Sequence, residues 1–220
     1  MNTILERVCT VCKEVRETSS EQTNFKKLIT RTRKAFRDHD FDIAIKTKKD
    51  KTLDPDEWYV MAYYDAESDF EMETAIEVIV HHNLQGNESF GSFQITAFLV
   101  EIFDATVHEF RHQHQSISRD YIEYVENPDY PYEDYLANQD ELDAYAFSIA
   151  IELLRVMDPQ RAKRNLGRIK RMSKMRSGSG YSSPVLRSYI EHFGMSEITK
   201  KLAKKIYFHL ETIDTRHIFV

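Results

Sequence analysis

His108-Glu109-Phe110-Arg111-His112 closes an apolar stretch that begins near Phe93, and its reading decides the fold. Ile95, Phe98, Leu99, Ile102 and Phe103 follow the i, i+3, i+4, i+7 pattern of a helix with one buried face. On such a helix, positions i and i+4 differ by about 40° in azimuth, so His108 and His112 project from one side. That is the spacing at which two neutral imidazoles share one Zn²⁺ at about 2.0–2.1 Å. Glu109 stands beside them, placed to reach a water on such an ion without being a ligand itself.

The elements around this helix follow from periodicity and punctuation. The helix spans about 93–117. Asn127-Pro128-Asp129 and Tyr130-Pro131 mark a loop, and 138–157 read as a second long helix stopped by Asp158-Pro159. Upstream, 58–64 and 75–81 are rich in β-branched and aromatic residues and read as strands. Phe41, Ile43 and Ile45 alternate through 41–47 as in a half-buried strand. Asp54-Pro55-Asp56 is a turn and Gln85-Gly86-Asn87 a break. Residues 3–38 form one or two helices joined near 18–20. Downstream come a basic helix over 160–176, a flexible Ser177-Gly178-Ser179-Gly180 link, and helices over 185–193 and 195–210. The expected fold class is α+β: a small sheet, then two long crossed helices that carry the site, with additional terminal helices.

The bulk numbers bound the reading. A chain of 220 residues with 41% hydrophobic content can build one well-buried core. The expectation is a single domain over 1–220, with 1–40 a helical N-terminal segment, 41–157 the core and 158–220 the C-terminal helices. The charge of −6 with 30% charged residues argues against a globally basic nucleic-acid binder. Cys9 and Cys12 fall in the helical pattern of Ile4, Leu5, Val8, Val11 and Val15 and are expected to pack as thiols. No basic region followed by an apolar run opens the sequence, and no apolar run approaches a membrane span. The expected setting is cytoplasmic, without a membrane partner.

Two histidines leave a zinc site one ligand short. The second long helix offers Asp140, Glu141 and Asp143, and the residues alone leave the choice among them open. Here the chain resembles the gluzincin metallopeptidases, which follow H-E-x-x-H with E-x-x-A on a later helix. The segment from Glu141 through Asp143, Ala144 and Phe147 to Leu153-Leu154 is similar to that of ImmA/IrrE-type peptidases of bacteria and phages. The resemblance covers roughly 93–157. It implies a zincin-like fold and a Zn²⁺ cofactor held by His108, His112 and Glu141. It also implies Glu109 as general base, Ala144 as the small residue at the helix crossing, and hydrolysis of a protein or peptide substrate. Two positions depart from the pattern. Tyr145 stands where many gluzincins carry Asp or Asn, which leaves the partner of a ligand imidazole to Asp143, Asp104 or the Tyr145 hydroxyl. Arg111 replaces a common Gly before the second His.

Other residues complete the expectations. His114 points about 200° from His112 and has a surface or packing role, while His81 and His82 end a strand as edge or loop histidines. Tyr181, His192 and His209 are candidate donors to an oxyanion. The strand at 75–81 is a candidate for edge addition of an extended peptide. Segment 161–176 has eight Lys and Arg and no acid. It reads first as a solvated helix face and second as a nucleic-acid or acidic-partner patch. The acidic, tyrosine-rich 120–152 is its counterpart. The alternative to an enzyme is a non-catalytic structural or assembly protein, phage-related and found in a virion, that keeps a zincin fold. A further alternative is a DNA- or regulator-associated protein.

Overall fold

The apolar positions of 2–18 and 25–38 each form one stripe, and each becomes a helix. In the computed structural model, which describes residues 1–19, 23–85, 88–121, 132–168 and 183–220, these are α1 (Asn2–Thr18) and α2 (Phe25–Asp38). Leu5, Val8, Cys9, Cys12 and Val15 of α1 are buried, so both free cysteines pack as expected. Asn24 caps α2 by accepting the Lys27 N–H at 2.9 Å. The chain divides into two compact units, Met1–Glu123 with Phe219–Val220, and Tyr124–Ile218. The division falls inside 41–157.

In the first unit, α1 and α2 pack together, and α2 covers β2 (Ile43–Lys49). The main sheet has the order β2-β4-β3, with β3 at Trp58–Tyr64 and β4 at Ile76–His82. β2 runs parallel to β4, with Ile45 opposite Val78, and β3 runs antiparallel, with Val60 opposite Val80. A two-stranded ladder joins β1 (Thr23–Asn24) to β5 (Ser89–Phe90). The 75–81 strand is therefore the central strand, paired on both sides, and cannot take a peptide by edge addition. In that position Ile76, Val78 and Val80 are all at most 1% exposed, so their burial stabilises the middle of the sheet. For the same reason His81 is buried rather than an edge residue. It stacks on Tyr59 with ring centroids 4.7 Å apart.

A short helix, α3 (Ala66–Phe70), joins β3 to β4 and is capped by Asp65. The long helix α4 (Ser92–Ile117) then packs on α1, β3 and β4. Phe98, Leu99, Ile102, Phe103 and Val107 of α4 are fully buried. Each contributes about 1.5–3 kcal/mol of transfer free energy, which fixes the helix in place.

The second unit is helical among its described residues. It comprises α5 (Tyr132–Ala137), α6 (Gln139–Val156), α7 (Pro159–Leu166), α8 (Pro184–Phe193), α9 (Glu197–Thr212) and a 3₁₀ turn at Thr215–His217. Asn138, Asp158, Ser183 and Ser196 each cap the helix that follows, and Pro159 and Pro184 occupy the first turns of α7 and α8. The described part of the basic 160–176 segment is helical only to Leu166. The Ser177–Gly180 link and the 127–131 loop lie outside the described residues. The architecture is α+β. Among the described residues, no helix is long and apolar enough to cross a membrane.

Candidate metal centre

α4 carries two residues of the imidazole pair one turn apart, and the structure brings them together. The Nε2 atoms of His108 and His112 stand 3.2 Å apart, with ring centroids at 4.9 Å and planes at 70°. Two nitrogens held tetrahedrally at about 2.0–2.1 Å from one zinc ion would be about 3.3–3.4 Å apart. The pair is thus already at the bite of a shared ion. The same separation lets one neutral ring donate its Nε2–H to the other, a proton that an ion would displace. Both rings are half-buried, which limits competing water while leaving an approach.

Glu109 follows directly on α4 and is only 7% exposed, an uncommon place for a carboxylate. His114 is exposed, as its azimuth requires, and Arg111 is half-buried.

The rest of α4 is held on both sides of the pair. Toward its C-terminus, Gln113 Nε2 donates to Asp69 Oδ1 at 3.1 Å, and the Tyr64 hydroxyl donates to Asp69 Oδ2 at 2.8 Å. Phe70 meets Tyr121 edge-on, with centroids 5.7 Å apart. α3 is therefore fastened to the turn that follows His112. Burial, reinforced by the Asp69 carboxylate, holds the Tyr64 hydroxyl protonated well above the usual phenol range, so it remains a donor. Toward the N-terminus, Glu101 lies two turns before His108. Burial pushes its pKa up to about 7; Asp104 adds to the rise and the Val60 N–H opposes it. Neither Asp69 nor Glu101 figures in the motif-based reading. The signal for Glu101 was available, as an acid inside the apolar run Phe98-Leu99-Val100-Glu101-Ile102-Phe103.

In the second unit, Glu141 occupies the first turn of α6 and is 6% exposed. Ala144 is fully buried. Asp143 is taken up by its own unit, with Lys205 Nζ and His209 Nε2 each 3.2 Å from Oδ1. His209 is 2% exposed and enclosed by Phe147 and Phe208. It is a buried partner of Asp143. His192 is exposed against Phe193, and Tyr181 lies outside the described residues.

No family model, curated protein or solved structure matches the chain.

Proposed function

We propose that the chain is a zinc-dependent peptidase in which His108, His112 and Glu141 hold one ion and Glu109 is the general base. The observation that carries the reading is the 3.2 Å separation of the two Nε2 atoms on α4, the bite of a single tetrahedral ion, with a buried carboxylate at the next residue after His108. The donor set of two imidazoles and one carboxylate suits zinc and leaves a fourth position open. When bound, the ion supplies Lewis-acid chemistry, drawing charge from a carbonyl oxygen and easing deprotonation of water.

The chain's own residues do the rest. Glu109 takes a proton from the attacking water and passes it to the leaving amine. Its low exposure keeps bulk water from competing for that proton. The His108 and His112 rings are oriented by α4, which the buried Phe98-to-Val107 face and the Asp69 clamp hold still. A zincin-like arrangement is the fold reading that goes with this chemistry.

The test is to strip the purified protein with a chelator, reload it with zinc, and follow new termini in a mixed peptide pool by mass spectrometry. Cleavage that disappears on stripping and returns with zinc is expected. Undiminished cleavage by the stripped protein, or none after reloading, would remove the proposal.

A further inference from the structure

Residues 158–220 hold 14 Lys and Arg against 5 Asp and Glu, a net of +9, while residues 1–157 carry −15. A split of this size in one chain points to a polyanionic partner for the basic part. The structure shows how part of that charge is displayed in the second unit. α7 is fastened along α9: the Tyr207 hydroxyl donates to the Lys163 carbonyl at 2.8 Å, and the Lys163 ammonium lies 2.7 Å from Glu211. A Cβ at Gly167 would stand 3.6 Å from the Tyr207 hydroxyl, so the seam runs to the end of α7.

The apolar sides of both helices are used up. Ala162 and Leu166 of α7, and Leu202, Ile206 and Leu210 of α9, are buried. Arg161, Arg164, Arg168, Lys200, Lys201 and Lys204 are exposed. Lys204 and Lys200 lie three and seven residues before Tyr207, on the stripe of α9 that borders α7. Arg164 and Arg168 directly follow Lys163 and Gly167, the two positions at which this segment meets Tyr207. Lys200 pairs with Glu197; the other five have no ion-paired carboxylate among the described residues. Phe208 is 60% exposed, four residues after Lys204 and seven after Lys201, so an aromatic ring stands on a stripe of cations.

We propose that the α7–α9 face binds single-stranded nucleic acid, its cations taking successive phosphates and Phe208 stacking a base. Cations without a close ion-paired carboxylate release counterions on meeting phosphates, and an exposed ring among them offers the sequence-tolerant stacking that such binders use. Arginine forks match phosphate oxygens two at a time. A membrane surface fits less well, because interfacial binding needs a whole apolar helix face, and among the described residues of α7 and α9 Phe208 is the exposed large hydrophobic residue.

The test is fluorescence anisotropy of a labelled oligothymidylate with the full chain over a range of salt. Five free cations predict a slope of log affinity against log salt of about −3.5. The variant Arg164→Ala/Arg168→Ala/Lys201→Ala/Lys204→Ala should lower that slope by about 3, and Phe208→Ala should weaken binding about tenfold at unchanged slope. The control Lys26→Ala/Lys27→Ala on α2 should change neither. Should the fourfold variant fail to fold, Arg164→Ala and Lys204→Ala singly, each lowering the slope by about 0.7, carry the test. Four results would each overturn the proposal: a slope indifferent to these variants, a Phe208→Ala protein that binds as the parent does, polyglutamate competing as well as the oligonucleotide, or anionic vesicles binding with the same residue dependence.

Discussion

Replacing Glu109 by Gln separates the base from the ligands. The amide keeps the shape of the side chain at a position only 7% exposed, so packing is preserved. Proton transfer by a positioned base contributes about 10²–10⁴ in rate, or about 3–5.5 kcal/mol at 1.36 kcal/mol per tenfold. The structure selects the upper half of that range. At such low exposure, solvent and buffer cannot stand in for the lost base, and the nearest other acid on α4, Asp104, lies five residues back and on a different face from Glu109. Glu109→Gln should therefore lower kcat by about 10³–10⁴ with KM little changed. Metal content should stay at the parental value, because the carboxylate is not among the ligands. The assay is peptide cleavage read by mass spectrometry, with elemental analysis on the same samples. Activity above about a tenth of the parent would refute the role of base, and loss of the ion would make Glu109 a ligand instead.

Glu141→Ala should cut zinc affinity by at least about 100-fold in a chelator competition, since it removes a ligand outright; unchanged affinity would move the third ligand elsewhere. Glu101 provides a pH test. Its pKa of about 7 lies above the ordinary 4.5, so the folded state holds an extra proton between these values. Stability should fall as pH rises through that window and level off above about 7, by about 1–2 kcal/mol after allowance for partial exposure. Glu101→Gln should flatten the profile, and an unaltered profile in urea melts would show that the acid is not perturbed. Asp69→Ala removes two hydrogen bonds to a carboxylate and should destabilise the first unit by about 2–3 kcal/mol, with faster amide exchange over 112–117. Identical melts and exchange would mean the clamp carries no load.

The long helices were legible because periodicity and caps agree. The apolar face of α4 and the Asn138 and Asp158 signals place both helices within a residue or so of their observed ends. The same holds for β3 and β4, whose β-branched and aromatic runs are bounded by turn residues. Strand order was not legible. It depends on which neighbours β4 finds, and the local run at 75–81 looks the same at an edge as in the centre. The β1–β5 ladder and α3 were missed because two and five residues carry no period. The role of His209 depends on Asp143, 66 residues away, and no local pattern records such a partner. The two imidazoles stand together on one side of α4, as expected, because i, i+4 on one helix is local geometry.

The measurement that tests the account most directly is the zinc content of the purified chain beside its His108→Ala/His112→Ala variant. About one zinc per chain, lost in the variant while the fold persists by circular dichroism, is the predicted result. No zinc in the parent after incubation with the ion, or equal zinc in both proteins, would contradict the account.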